Sequence, residues 1–171
     1  MSTEHTTDGR QPKAAPKGLR ELLARGPHTA MLMTMIDNEH SSRPVTIADC
    51  DDRCLMFLVS VSADWVRPIT DVSTAVHVAV ADERRNVYLA LNGRCSIGND
   101  DAEIDRLWTP AAHAYFKGPN DPDLVVLHFR VTDGEYWTGP SGGLGQVVAM
   151  FAAAATGNPS KLGDHGDVAT N

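Results

Sequence analysis

The chain has 171 residues, the size of one globular domain. Hydrophobic residues make up 42% of it and charged residues 22%, a balance typical of a protein with a buried core. The formal net charge is −7 and no basic run exists, which excludes a nucleic-acid partner from our expectations. Residues 147–155 form the longest apolar run, too short to span a bilayer, and residues 1–5 lack the features of a signal peptide. We therefore expect a cytoplasmic protein with no membrane partner.

The cysteines and histidines indicate neither a disulfide framework nor a metal site. Cys50, Cys54 and Cys95 are an odd number and have no CxxC spacing. The seven histidines are scattered and form no HExxH motif, so no metal ligand is predicted.

The predicted elements begin after a polar segment. Residues 1–16 have no hydrophobic periodicity and are predicted to be a disordered tail. Leucines at positions i, i+3 and i+4 within 17–25 then predict a short amphipathic helix, which Gly26-Pro27 ends.

Two alternating segments, 29–36 and 41–48, predict a pair of strands joined by a turn at 37–40. The first segment is apolar on both faces, with Met31, Met33 and Met35 on one of them. A strand of this kind is buried on both faces. In a chain this small, its outer face is covered either by helices or by a second subunit.

Further segments, of which 54–60 is again apolar on both faces, predict a fold built mainly from short antiparallel strands. They lie at 54–60, 75–81, 87–97, 124–131 and 135–138. Gly93 is predicted to be a bulge or bend, and Asp133-Gly134 a turn. The pattern favours a mainly β fold, a β-barrel with flanking helices.

Helical patterns occur at three places between and after these strands. The segment 64–71 predicts a short helix that Pro68 weakens, and Asp100 with Glu103 resembles a capping box for a helix that follows. Thr109 is predicted to cap a second helix that begins at Pro110. An alanine-rich helix is predicted at 146–156, after a glycine-rich loop at 139–145. The predicted organisation is one domain at 17–157 and a second disordered tail at 158–171.

The residues that could bind an anion are Arg43, Ser60, Ser62 and Arg67. Arg43 lies on an apolar strand face, where a charge is costly unless it meets water or an anion. A guanidinium fork together with hydroxyl donors is typical of a phosphate site. The alternative is that Arg43 reaches solvent from a sheet edge and the serines close a turn. The pattern alone leaves both interpretations open.

Aromatic and glycine-rich segments offer two further candidates. Trp137 ends a short strand, where its ring could pack on a flat ligand, whereas Trp108 belongs to a helical stripe typical of a core. The loop 139–145 contains no Gly-Lys-Ser/Thr and no third glycine of a dinucleotide fingerprint, so we interpret it as a linker.

The motif Ser42-Arg43-Pro44-Val45 is also where a resemblance to a known family begins. The other segments that carry this resemblance are, in chain order, 33–35, 55–60, 104–110, 115–124 and 135–142. Together they resemble the general stress protein branch of the pyridoxamine 5′-phosphate oxidase-like flavoproteins. The resemblance covers about residues 19–157.

This resemblance implies a split β-barrel homodimer of the FMN-binding type, with FMN in a groove at the dimer interface. The residues implied to run along the flavin and its ribityl-phosphate are Arg43, Pro44 and Val45. Those implied to meet the phosphate are Ser60, Val61 and Ser62. Trp137 is implied to approach the ring from the partner subunit.

The chain departs from the family pattern in two places. The family usually has a phosphate-binding lysine in a stretch like Ser-x-Lys-Val, where this chain has Asp64-Trp65-Val66-Arg67-Pro68. Arg67 is the candidate substitute, although it is displaced along the chain. Loss of one charge-assisted contact costs roughly 1.5–3 kcal/mol, or about ten- to a hundredfold in affinity. Gly143-Leu144-Gly145 also intervenes where the family often begins a helix with lysine.

The function that the resemblance implies is an FMN-dependent oxidoreductase reduced by a nicotinamide or another small molecule. The flavin would carry out the electron transfer, and no side chain is indicated as catalytic. One alternative is a non-catalytic flavin-binding protein that stores or senses flavin. Another is a split barrel that uses a deazaflavin, haem or another ligand. The pyridoxamine phosphate oxidase reaction itself is not expected, because the substrate-binding C-terminal motif of that enzyme is missing.

Overall fold

The computed structural model describes residues 13–24, 28–36, 38–69, 75–139 and 164–170. The strands in these ranges are β1 (Ala14–Lys17), β2 (His28–Ile36), β3 (Glu39–Cys50), β4 (Cys54–Ser60), β5 (Ala75–Asp82), β6 (Val87–Gly98), β7 (Leu124–Thr138) and β8 (Asp164–Val168). The helices are α1 (Leu19–Leu22), α2 (Val66–Ile69), α3 (Asp101–Leu107) and a 3₁₀ helix (Pro110–Ala114). Among the described residues, no helix is long and apolar enough to cross a membrane.

Six of the strands close into an antiparallel barrel. Their order is β7-β4-β3-β2-β5-β6, and β6 pairs back with β7 to complete the circle. β8 extends the sheet from the second half of β7, and β1 pairs with β8 in parallel. The prediction of a mainly β, antiparallel barrel with flanking helices is confirmed.

The barrel interior is filled by every second residue of the strands, as the pleat requires. In β2, Ala30, Leu32 and Thr34 point inward and are buried, whereas Met31 and Met35 point outward and are 39% and 50% exposed. The largest fully buried side chains in the barrel belong to Tyr136, Phe57 and Phe129.

A smaller second core covers the outer face of β4. Cys54 and Met56 on this face pack in one cluster with Ile104 and Leu107 of α3. The apolar pattern on both faces of β4 is explained by this helix, because one face lines the barrel and the other lies under α3. The predicted cap is confirmed, since the Asp100 carboxylate accepts a hydrogen bond from the Glu103 N–H at 2.8 Å.

The strand boundaries agree closely with the predicted ones, including the turn before β3. Asn38 in that turn has a positive φ of 65°, a conformation that asparagine tolerates better than most residues. Gly93 is confirmed as an irregularity, because the β6–β7 register shifts between Asn92 and Gly93. A Cβ atom at Gly93 would lie 2.4 Å from the Arg130 carbonyl oxygen, so the close approach requires glycine there.

The predicted turn at Asp133-Gly134 is wrong, because β7 runs through it without a break. Asp133 pairs with Asn92 of β6, and the Asn92 amide donates to the Asp133 carboxylate at 2.6 Å. A Cβ at Gly134 would meet the Ala90 carbonyl oxygen at 2.9 Å. The glycine is thus explained by contact between strands and not by a reversal of the chain.

Two strands lie in segments that were predicted to be tails. β1 and β8 have four and five residues, too few and too polar to give a periodic signal. Their hydrogen bonds come from each other and from β7, and the Tyr136 hydroxyl donates to the Ala15 carbonyl at 2.7 Å. The predicted helix at 146–156 and the loop 139–145 beyond Gly139 lie outside the described residues.

We expect Gly93→Ala to destabilise the barrel by about 1–3 kcal/mol, because the added methyl group overlaps the Arg130 carbonyl and the Phe129 ring. Gly118→Ala is the matched control, since a Cβ there meets nothing within 4 Å. Urea denaturation measures both. Equal stability of the two variants would contradict the close approach at Gly93.

Candidate functional site

The candidate site lies where β3 and β4 diverge. β3 pairs with β4 only from Ile47 onward, and its earlier residues pair with β2 alone. β4 meanwhile continues to Ser60, which pairs with Leu124 of β7. Within the described chain this leaves one edge of the first half of β3 without a strand partner, facing the turn that follows β4.

Arg43 is the charged residue at this divergence. Its guanidinium lies over the Trp65 ring, 4.6 Å from the ring centroid, and its Nη2 donates to the Ser41 hydroxyl. Its Nη1 is buried and has no hydrogen-bond partner among the described residues, and burial lowers the pKa of the side chain. A buried N–H without an acceptor is costly, so this nitrogen fits an acceptor supplied by a ligand.

Asp123 organises the turn after β4. The Ser60 hydroxyl and the Ser62 N–H (2.9 Å) both donate to its carboxylate, and the Val61 N–H donates to its carbonyl at 2.8 Å. The structure thus brings together the three predicted phosphate-binding residues, but their donors already bind Asp123.

The same hydrogen bonds tie the turn to pH. The Ser60 hydroxyl, followed by the Ser62 N–H, holds the pKa of Asp123 below its usual value. A carboxylate whose pKa is lowered in the folded protein stabilises the fold at pH values above the ordinary pKa of aspartate. This stabilisation is lost as the pH falls through the lowered pKa of the folded state. Acidification is therefore expected to loosen the turn.

The other predicted residues of β3 and α2 point in different directions. Val45 shares the inward face with Arg43 and packs on the core, whereas Pro44 lies on the exposed outer face opposite Met31. Arg67 lies on the exposed side of α2, two residues beyond Trp65. That Pro44, Val45 and Arg67 contact a cofactor stays a prediction.

Trp137 lies on the outer face near the end of β7 and is 39% exposed. It stacks on His165 of β8, with ring centroids 5.1 Å apart and planes 8° from parallel. The His165 Nε2 is buried and makes no hydrogen bond within the described part of the chain, and it lies 3.5 Å from a Glu135 carboxylate oxygen. Sequence reasoning missed His165, because nothing in the local pattern indicates that β8 pairs with β7.

A cleft of about 600 Å³ opens beside Glu135. Its polar lining includes Lys13, Glu135 and Asp167, and Lys13 lies 2.9 Å from Glu135 and 2.7 Å from Asp167. Met33 lines the same cleft, between the exposed Met31 and Met35 along β2. The cleft and the exposed methionines therefore form one continuous outer surface.

The cysteines do not form a reactive centre. All three are free, and burial raises the pKa of Cys54 to about 11 and that of Cys95 to about 12. These two thiols stay protonated at neutral pH and are poor nucleophiles. In the part of the chain that the structure describes, no group of three or more histidine, cysteine or acidic residues could hold a metal ion.

Comparison with known families identifies the chain. Residues 15–161 match the family described as pyridoxamine 5′-phosphate oxidase like. The chain belongs to this family. The match ends before β8, so His165 lies outside the residues that match the family.

Solved structures show that the family's split-barrel fold is shared. A protein from Jannaschia sp. CCS1, assigned as general stress protein 26, is 22% identical over 82% of this chain and 89% of its own, with a TM-score of 0.70. The general stress FMN/FAD binding protein from Xanthomonas citri is 23% identical over 67% and 82%, with a TM-score of 0.59. An F420 reductase is 26% identical over 69% and 96%, with a TM-score of 0.51. Comparison with curated proteins finds no match.

We expect Arg43→Met to keep the free energy of unfolding within about 1 kcal/mol of the native value. The substitution loses the cation–π contact with Trp65, but it also removes the buried nitrogen that has no partner. Chemical denaturation measures the difference. A loss of more than about 3 kcal/mol would show that Arg43 serves the fold and not a ligand.

Proposed function

We propose that this chain is a flavoprotein, a small flavin-dependent oxidoreductase that holds FMN or a related flavin along β3 at Arg43. The buried, unpartnered Nη1 of Arg43 is the observation that carries the proposal. Membership of the pyridoxamine 5′-phosphate oxidase-like family and the likeness to an FMN/FAD binding protein support it.

The ring side of a flavin fits the residues at the divergence. Arg43 supplies a donor without an acceptor, and the neighbouring edge of β3 has backbone groups without a strand partner in the described chain. An open strand edge can bind the polar rim of a flat ligand as it would bind another strand. Pro44 and Val45 lie on this same stretch of β3.

The phosphate end fits less well. Ser60, Val61 and Ser62 are the residues that the family resemblance assigns to the phosphate, and their donors bind Asp123 instead. Trp65, which faces Arg43, offers no charge to an anion. Arg67 is the further cation that we propose on this side of the groove.

A bound flavin would supply the redox chemistry, accepting and returning electrons or a hydride. The chain would bind the flavin, orient it and exclude water from it. We propose a nicotinamide or another small molecule as the reductant, and no residue is proposed as a proton donor.

A non-catalytic flavin-binding role is the second candidate. It is favoured by the described partners of Arg43, which are Ser41 and Trp65 and include no general acid or base. A third ligand, a deazaflavin, is favoured only by the likeness to an F420 reductase. Turnover of bound flavin by a reduced nicotinamide distinguishes an oxidoreductase from a storage or sensor protein.

We also propose that the protein is a homodimer in which a second copy covers the outer face of β2. Met31 and Met35 are exposed there, and Met33 lines the adjoining cleft. Burying an exposed methionine side chain completely contributes about 1.5–3 kcal/mol, so a row of methionines favours an apolar partner surface. In this arrangement Trp137 would reach the flavin of the partner copy.

We expect Arg43→Ala to weaken flavin binding about ten- to a hundredfold, because it removes a charge-assisted hydrogen bond. Arg84→Ala, in the exposed turn before β6, is the matched control. Titration of flavin fluorescence against each purified protein measures the affinity. Unchanged affinity in Arg43→Ala would place the flavin elsewhere, and native protein that binds no flavin would refute the proposed function.

We expect Met31→Glu to dissociate the proposed dimer, because it places a charge in the apolar contact. Tyr115→Glu introduces the same charge at a side chain that is 84% exposed, outside this face, and should leave the dimer intact. Sedimentation velocity measures the oligomeric state. A native protein that sediments as a monomer would rule out this interface.

A further inference from the structure

We propose that Asp123 is a specificity-determining residue. Its carboxylate occupies hydrogen-bond donors of the Ser60–Ser62 turn, and the site therefore selects flavins without a terminal phosphate. This inference rests on the proposed flavin site. It assigns the ligand class as a flat heteroaromatic ring with a neutral, hydroxylated side chain, of which riboflavin is the simplest example.

The donors of the turn are fully used by the protein itself. The Ser60 hydroxyl and the Ser62 N–H bind the Asp123 carboxylate, and the Val61 N–H binds the Asp123 carbonyl. The Ala63 N–H donates to the Ser60 carbonyl at 3.2 Å, and the Ser62 hydroxyl lies 3.0 Å from that of Ser60. A phosphate placed here would have to displace a carboxylate that already has its hydrogen bonds.

Asp123 is held in place by the loop that precedes β7. Its N–H donates to the Asp121 carboxylate at 3.0 Å, and the Leu124 N–H donates to the Asp121 carbonyl at 3.0 Å. Leu124 in turn pairs with Ser60. The backbone on both sides is therefore fixed, and the Ser60 hydroxyl and the Ser62 N–H hold the carboxylate itself in the turn.

Charge at the turn also opposes a phosphate dianion, although Arg67 is exposed on the adjoining helix α2, because two carboxylates lie at the turn itself. The Asp123 carboxylate would face it directly, and like charges a few ångströms apart repel each other. Asp64 adds a second, exposed carboxylate to the same turn. Arg43 offers one unpartnered nitrogen, which suits a single carbonyl or hydroxyl oxygen better than three phosphate oxygens.

Asp123→Asn tests the proposal with little change in shape. The amide oxygen can still accept from the Ser62 N–H, and the amide nitrogen can donate to the Ser60 oxygen. The Ser60 hydroxyl hydrogen is then free to donate to a ligand, and the negative charge is gone. Asp105→Asn, an exposed position on α3, makes the same change in net charge away from the turn.

The measurement is the dissociation constant of riboflavin and of FMN for each full-length protein, by flavin fluorescence at fixed pH and salt. We expect the native protein to bind riboflavin at least as tightly as FMN. We expect Asp123→Asn to improve FMN binding relative to riboflavin by about tenfold or more, and Asp105→Asn to leave the ratio as in the native protein. Thermal melting confirms that each variant is folded.

Two results would overturn the proposal: native protein that prefers FMN over riboflavin, or a ratio in folded Asp123→Asn equal to the native one. If Asp123→Asn does not fold, Ser60→Ala decides. It should leave the ratio unchanged if the hydroxyl serves Asp123, whereas a selective loss of FMN affinity would show that the hydroxyl binds phosphate. Native protein that binds neither flavin would refute the flavin site itself, a result distinct from all of these.

Discussion

The structure depends above all on β7, because this strand forms backbone hydrogen bonds with three neighbouring strands. Its 15 residues pair with β6 along one edge, and with β4 and then β8 along the other. This double pairing closes the barrel and leaves no open edge on β4 or β6 where they meet it. It also positions two of the residues discussed above, since Asp123 precedes its first residue and Trp137 is its last but one.

The parts of the fold that the sequence could predict are those with a strong local pattern. The bounds of β4 and β6 agree with the prediction almost to the residue, because a continuous apolar run in β4 and an alternating one in β6 are each bounded by polar turns. The turn at Asp133-Gly134 was wrong because glycine next to aspartate is typical of a turn, whereas here a neighbouring strand leaves no room for a side chain. β1 and β8 carry too little pattern of their own, and they form because β7 offers an edge to β8 and β8 offers one to β1.

In the candidate site, too, local sequence patterns predict some features, and others depend on contacts between distant segments. Arg43 could be selected as a candidate from sequence, because a charge on an apolar strand face needs an explanation, and the structure adds that its Nη1 is buried without a partner among the described residues. The role of Asp123 could not, since it lies 63 residues from Ser60 in a loop that reads as solvated. The partnership of Trp137 with His165 was equally hidden, because only three-dimensional pairing brings β8 to β7. Contacts between distant segments thus bring these side chains together, and the local pattern cannot predict them.

The parallel pairing of β1 with β8 links the two ends of the described chain physically. Ala14 lies beside Gly166, where a side chain on the glycine would meet both the Ala14 carbonyl and the Tyr136 ring. The amino-terminal segment therefore protects the outer edge of the carboxy-terminal one, which would otherwise offer unpaired N–H and C=O groups to other chains. Shortening the chain at one end would expose the other to aggregation.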